Sequence, residues 1–133
     1  MRTQTETVFS HAKLDTENIE KEFLKEQLHL TGMEVSYTEI LPGEANRFIH
    51  SHQQNEELYI CVHGQGQMQV DGHYMDFSQG SFVRVAPSGK RAIRNIGQNP
   101  LRYLCIQARV NSLSQWTRED GILHDEKLVW PTA

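Results

Sequence analysis

The sequence predicts an all-β domain, a sandwich or barrel of short strands, and three observations support this. Between residues 33 and 110, short strand-forming runs alternate with turn residues at nearly even spacing, which is typical of a β-sandwich or barrel. The chain of 133 residues is long enough to bury a core of its own. No internal repeat, low-complexity segment or linker divides it. We therefore expect one domain over residues 1–133, with its barrel core at 33–110.

The region before this core, residues 1–32, predicts a strand followed by a short helix. Residues 5–10 are β-rich and could add to the sheet of a neighbouring subunit. The apolar residues of 15–30 fall roughly on one helical face, and Asp15 or Thr16 can cap that helix. The glycine at position 32 then supplies a stop for the helix.

The core itself predicts a series of strands that end at glycine, proline and asparagine residues. Asp71-Gly72, between two of these strands, predicts a two-residue hairpin, because glycine readily adopts the positive φ that a type I′ turn requires. The predicted strands cover residues 33–41, 47–52, 57–63, 66–71, 73–77, 81–86, 91–96 and 101–109.

The tail that follows the core, residues 111–133, carries two tryptophans. Residues 112–119 predict one or two helical turns. We expect Trp116 and Trp130 to pack the tail over the mouth of the barrel or against a partner subunit. Stacking of these rings on a ligand is the alternative.

Composition and charge exclude several classes of protein. The net charge of −4 and the scattered lysines and arginines argue against nucleic-acid binding, which needs a basic patch or stripe. No run approaches the roughly 18 apolar residues of a membrane span, and the first residues lack the apolar core of a signal peptide. We therefore expect a cytoplasmic protein, with Cys61 and Cys105 as free, buried thiols.

The chemistry-bearing residues cluster at His50-Ser51-His52 and Glu57. Alternate residues of a strand point to the same side, so both imidazoles can enter one cavity. A turn over residues 53–56 would bring Glu57 up on the neighbouring strand. Two imidazoles and one carboxylate are the ligand set used by non-haem iron and related first-row ions. The sequence therefore predicts a metal site at His50, His52 and Glu57.

Two motifs around this cluster resemble those of the cupin family. Residues 43–64 read G-x6-H-x-H-x4-E-x6-G, which resembles the first cupin motif, and residues 80–95, GSFVRVAPSGKRAIRN, resemble the second. The resemblance implies a small antiparallel jelly-roll barrel that commonly pairs into homodimers. It also implies a metal bound by both histidines, the glutamate and a third histidine. Such ligands accept iron, manganese, nickel, zinc or copper.

The third histidine of the family is missing from this chain. Counted forward from Pro87-Ser88-Gly89 its place is Ala92, and counted back from Asn95 its place is Arg91. The second alignment is favoured because Arg91 and Asn95 then share one strand face. A guanidinium at this place could pair with Glu57, or it could hold a carboxylate or phosphate of a ligand in bidentate fashion.

Further residues are expected to line the ligand pocket beside Arg91. Tyr59 shares a strand face with Glu57, so its hydroxyl either contacts a ligand or simply fills the barrel. Tyr103 and Gln107 share a face of the last strand, and the amide of Gln107 could orient a ligand if that face is the inner one.

Two functions remain open at this point. The first is a small metalloenzyme, an oxygenase, isomerase or hydrolase that acts on a small polar molecule, with Arg91 or Tyr59 orienting a negatively charged group. The second is a non-catalytic module that binds or senses a small anionic ligand, with or without metal. Fold and motif alone do not choose between them.

Overall fold

The structure, a computed structural model, describes residues 2–5 and 8–132 as ten strands and one short helix, followed by a single 3₁₀ turn at Arg118–Asp120. In chain order the elements are β1 (Arg2–Thr5), β2 (Ser10–Lys13), β3 (Lys21–Phe23), α1 (Lys25–Leu28), β4 (Glu34–Ile40), β5 (Asn55–His63), β6 (Gln65–Val70), β7 (His73–Ser78), β8 (Phe82–Val85), β9 (Arg91–Asn95) and β10 (Leu101–Arg109).

Two antiparallel sheets form the body of the molecule. One sheet has five strands in the order β3-β4-β10-β5-β8, and the other has three in the order β7-β6-β9. The β1–β2 hairpin stands apart as a separate two-stranded sheet. The sheets enclose one core, and this arrangement fits the expected jelly-roll fold. The barrel is not closed, because the described strands pair only within their own sheet.

The core lies between the sheets and contains an aromatic cluster at its centre. Phe77 of β7 is fully buried and meets Tyr103 of β10 edge to face, with 5.6 Å between the ring centroids. Tyr59 of β5 also contacts both rings. Along β10 the odd-numbered residues from Leu101 to Cys105 are buried and the even-numbered ones are partly exposed, so the odd face is the inner one.

The hairpin predicted at Asp71-Gly72 is confirmed. Val70 pairs with His73 across the turn, and Asp71 and Gly72 have φ values of 50° and 82°. Positive φ at both central residues defines the type I′ turn, whose twist matches that of the flanking strands.

The helix predicted over residues 15–30 is wrong except for α1. Residues Lys21–Phe23 instead form β3, which pairs with the edge of β4 and satisfies its backbone there. The carboxylate of Glu34 accepts hydrogen bonds from the backbone N–H groups of Leu24 and Lys25. These two N–H groups lie at the start of α1, directly after β3. His29 ends α1 in the left-handed conformation. Pairing with a distant strand thus overrides a local helical pattern.

The strand predicted over residues 47–52 is replaced by an irregular extended segment. Ala45 and His50 each form an isolated bridge with β9, opposite Arg94 and Arg91. The backbone of His50 both donates to and accepts from Arg91, at 3.2 and 3.0 Å. The segment therefore follows the edge of the three-stranded sheet without forming a regular strand, and it still places both histidines beside β9.

The chain ends follow different paths from those predicted. Residues 6 and 7 of the strand expected at 5–10 lie outside the described residues, and Thr5 and Ser10 pair across the β1–β2 hairpin. The C-terminal arm, residues 111–132, is exposed along its length. Where one or two helical turns were expected at 112–119, it forms hydrogen-bonded turns and the start of the 3₁₀ turn at Arg118–Asp120, but no α-helix. Such short helices are marginal without tertiary packing.

The tryptophans of the C-terminal arm do not cover the mouth of the barrel. Trp116 and Trp130 are both mostly exposed, so the expectation that they pack the arm onto its own domain is wrong. Packing against a partner subunit stays a prediction. No helix among residues 2–5 and 8–132 is long and apolar enough to cross a membrane.

Candidate metal centre

A cavity of about 590 Å³ opens between the five-stranded sheet and the segment that runs beside β9. Its wall includes the alternate, inward-facing residues of β4, β5 and β10, because those strands are neighbours in one sheet. The lining residues that the sequence singled out are His50, His52, Glu57, Tyr59, Tyr103 and Gln107.

The three predicted ligands converge in this cavity. One donor atom from each of His50, His52 and Glu57 lies within 4.8 Å of the other two. His52 Nε2 is 3.2 Å from Glu57 Oε2, and His50 Nε2 is 3.6 Å from Glu57 Oε1. The two imidazole rings meet edge to face, with 5.1 Å between their centroids.

Backbone contacts hold the two histidines, and a sheet holds the glutamate. His50 is fixed by its reciprocal hydrogen bonds with Arg91, and the N–H of His52 donates to the carbonyl of Pro87 at 2.8 Å. Glu57 lies in β5, between Gln107 of β10 and Val85 of β8. The site therefore joins both sheets, with the imidazoles supplied from the β9 side and the carboxylate from β5.

The carboxylate of Glu57 is buried and ionised. The hydroxyl of Tyr59 donates a hydrogen bond to Glu57 Oε1 at 2.5 Å. Burial opposes ionisation, but hydrogen bonds from Tyr59 and Cys105 and the positive charge of Arg91 outweigh it, so the pKa of Glu57 lies below its usual value. Oε1 accepts the hydrogen bond from Tyr59, and Oε2 is the oxygen nearest His52.

The histidines offer nitrogen donor atoms. Burial, opposed by the charge of Glu57 and supported by that of Arg91, lowers the pKa of His50 and favours its neutral form. His52 Nε2 is buried and has no hydrogen-bond partner in the described part of the chain, although it lies 3.2 Å from the carboxylate of Glu57. A buried imidazole nitrogen with no partner is costly. The donor set and this unpaired atom fit a first-row metal ion.

The guanidinium of Arg91 lies behind Glu57 rather than in the cavity. Arg91 is 1% exposed, its Nη1 is 3.5 Å from Glu57 Oε1, and its Nη2 donates to the carbonyl of Ala86 at 3.0 Å. It is absent from the residues that line the cavity. The expectation that Arg91 lines the ligand pocket is therefore corrected. The pairing with Glu57, which the sequence left open, is the contact that it makes.

The other predicted pocket residues reach the cavity with partners of their own. The amide of Asn46 donates to the hydroxyl of Tyr103 at 3.4 Å, and the amide of Asn55 donates to Gln107 Oε1 at 2.8 Å. Burial raises the pKa of Tyr59 and that of Tyr103, which keeps both hydroxyls protonated. Both phenols therefore act as neutral polar groups in the wall.

Sequence reasoning missed part of the cavity wall. Ser36 and Thr38 of β4 line it beside Cys105 and Tyr103, their partners in β10. The alternation of small polar residues in β4 was a signal for this, but it identifies no partner strand by itself. Lys21 and Arg47 reach the cavity from β3 and from the segment beside β9, and no motif marked either residue.

The part of the chain that carries this site matches a known protein family. The family model described as "Cupin domain" matches residues 36–107, which contain His50, His52, Glu57 and Arg91. An uncharacterized protein of Methanocaldococcus jannaschii is 31% identical over 86 residues, which cover 62% of this chain and 69% of that protein.

Solved structures show the same fold. The crystal structure of a cupin protein from Bacteroides fragilis has a TM-score of 0.81 and 34% identity, over 87% of this chain and 97% of that one. A predicted oxalate decarboxylase from Thermotoga maritima has a TM-score of 0.61 and 17% identity, over 74% of this chain and all of that one. The second likeness concerns the fold alone.

Proposed function

The chain belongs to the cupin family, and from this premise we propose that it binds a divalent first-row metal ion through His50, His52 and Glu57. A small polar molecule would bind at open coordination positions in the cavity. The observation that supports this proposal is the convergence of the three donors beside a buried, unpaired imidazole nitrogen of His52. Three protein ligands leave coordination positions open, as in catalytic sites.

Different residues of the chain would have different roles at such a site. Tyr59 and Arg91 hold Glu57 from the Oε1 side, so its Oε2 is left to face His52. Tyr103 and Gln107 present polar groups from β10, the strand next to β5, and would orient the bound molecule. A metal held there would polarise a bound oxygen or lower the pKa of a bound water. Iron, manganese, nickel, zinc and copper all suit this donor set.

A metal-free binding module is the second candidate, and one contact favours it. The guanidinium of Arg91 already neutralises the carboxylate of Glu57 at 3.5 Å. A cation so close to a metal ligand repels the metal, and the ion pair could instead close the floor of a cavity that holds a small anion. The choice between the two candidates depends on whether metal is present.

Elemental analysis of protein purified without a polyhistidine tag tests the proposal. We expect close to one metal ion per chain in the wild type, and loss of most of it in His50→Ala and in Glu57→Ala, because each substitution removes a donor atom. His73→Ala, which changes an exposed histidine on β7, is the matched control and should keep its metal. A wild type that stays metal-free after incubation with iron, manganese, nickel, zinc and copper would refute the metal site. The metal-free binding module would then be the remaining candidate.

We also propose that two copies of the chain form a homodimer. The support is the apolar surface that one copy leaves exposed on the C-terminal arm, including Trp116 and Trp130. Light scattering coupled to size exclusion should give twice the mass of one chain. The mass of a single chain at micromolar concentration would contradict the proposal.

We also propose that the protein is located in a reducing compartment such as the cytoplasm. Cys61 and Cys105 are both buried and unpaired. Disulfides persist mainly in oxidising compartments, and buried thiols without partners suit a reducing one.

A further inference from the structure

We propose that the buried guanidinium of Arg91 makes the metal centre a joint site for a metal ion and a small anion, each of which raises the affinity for the other. This inference rests on the proposed metal site and names the class of ligand that completes it. It depends on the positive charge of Arg91, which stands where the cupin motif has its third histidine.

The charges around Glu57 balance before any metal arrives. Glu57 contributes one negative charge and Arg91 one positive charge, with 3.5 Å between Oε1 and Nη1. Tyr59 and Cys105 also face this carboxylate, and burial keeps both of them protonated and neutral. Because an imidazole that coordinates a metal is neutral, a divalent ion adds two positive charges that the described side chains at the floor of the cavity do not offset.

The mouth of the cavity does not supply the missing negative charge. Lys21 and Arg47 line the cavity together with Glu20 and Glu44, all four exposed, so these four charges sum to zero. A fifth charged residue, Glu39, is engaged by Arg102 of β10, with 2.8 Å between Oε2 and Nε. The excess positive charge of a metal-loaded site would thus remain at its floor.

Arg91 cannot relieve the excess by moving or losing its charge. A guanidinium stays protonated in proteins. The side chain is 1% exposed, and its Nη2 is tied to the carbonyl of Ala86. Among the described residues its Nε and Nη1 have no hydrogen-bond partner, so Glu57, at 3.5 Å from Nη1, offsets its charge without a hydrogen bond. At such burial, water and salt screen the repulsion between the guanidinium and a metal ion only weakly.

An anion bound to the metal offsets this repulsion. The anion has to bind at the metal itself, because Arg91 does not line the cavity. A small carboxylate is suitable, since the cavity of about 590 Å³ leaves ample room and carboxylate oxygen is a common ligand of these ions. Because binding linkage is reciprocal, the anion would raise the affinity for metal by the factor by which metal raises the affinity for the anion.

Calorimetric titration with Ni²⁺ in formate and in perchlorate, at equal ionic strength, tests this coupling. After correction for nickel formate in solution, we expect formate to raise the Ni²⁺ affinity of the wild type by about fivefold or more. In Arg91→Gln, which can still donate a hydrogen bond, the Ni²⁺ affinity in perchlorate should rise. The effect of formate should then be clearly smaller than in the wild type, because the loaded site carries one excess positive charge instead of two.

Two further variants separate charge from structure. Arg91→Lys keeps the charge and should keep the coupling. Arg94→Met removes an exposed arginine of the same strand, whose Nε donates to Gln67, and should leave both affinities unchanged. If Arg91→Gln does not fold, as judged by circular dichroism, Arg91→Met takes its place with the same expectation.

The outcomes distinguish failure of the proposed metal site from failure of the role of Arg91. Failure of the wild type to bind Ni²⁺ in either salt, together with failure to bind iron, manganese, zinc or copper, would refute the proposed metal site itself. Binding of Ni²⁺ with an equal formate effect in wild type and Arg91→Gln would refute the role of Arg91 and leave the metal site standing. Loss of the coupling in Arg91→Gln, with retention in Arg91→Lys, supports the inference.

Discussion

Replacement of Glu57 by glutamine should lower the free energy of unfolding of the metal-free protein by about 3–5 kcal/mol, the usual cost of breaking a buried ion pair from one side. Glutamine has nearly the same shape and can still accept the hydrogen bond from Tyr59. It removes the negative charge that lies 3.5 Å from the guanidinium of Arg91, and Arg91 is too deeply buried to be solvated instead. Urea unfolding with chelator present measures the change.

A double-mutant cycle supplies the control for this prediction. Addition of Arg91→Met to Glu57→Gln should recover a large part of the loss, because the uncompensated cation disappears. The matched pair is Glu56 and Arg84, next to Glu57 on the outer face of the sheet, with 3.0 Å between Oε1 and Nε. That exposed pair should show a coupling of about 0–1 kcal/mol. Equal coupling in both pairs would show that burial does not govern the inner one.

Replacement of Phe77 by alanine should cost about 3–5 kcal/mol of unfolding free energy, as is usual for a large aromatic residue in a core. Phe77 is 0% exposed and joins β7 to the five-stranded sheet through its contacts with Tyr59 and Tyr103. The substitution would leave a cavity between the two sheets that these rigid rings cannot fill. Thermal and urea unfolding both report the loss.

The matched control is Phe82→Ala, since Phe82 is 67% exposed on β8. It should change the unfolding free energy by no more than about 0.5 kcal/mol. Phe77→Leu, which keeps most of the buried volume, should cost less than Phe77→Ala. Similar losses for Phe77→Ala and Phe82→Ala would mean that the aromatic cluster does not hold the two sheets together.

Several features followed from residues close together in the sequence. The hairpin at Asp71-Gly72 depends on the backbone preference of two adjacent residues, so the sequence was sufficient to predict it. The convergence of His50, His52 and Glu57 was also predicted, although the segment that carries the histidines is no regular strand. Alternation along an extended segment is enough to direct both imidazoles to one side. The metal itself stays a prediction.

Other features depended on contacts that the sequence does not display. Residues 21–23 fit a helical pattern, yet the free edge of β4 recruits them as a strand. Tyr103 and Gln107 could have faced either way, and only the pairing of β10 with β4 and β5 turns them towards the cavity. Periodicity reports that two faces differ, but it does not identify which of two mainly apolar faces is inside.

By itself the sequence determined the β architecture, the tight turn after β6 and the three donors of the candidate centre, because spacing and backbone preference act between near neighbours in the chain. Only the tertiary structure decided that Arg91 lies behind Glu57 and outside the cavity. The surroundings of a buried charge are set by β5, β9 and the loop carbonyl of Ala86, which the fold brings together from distant parts of the chain. No local pattern carries that information.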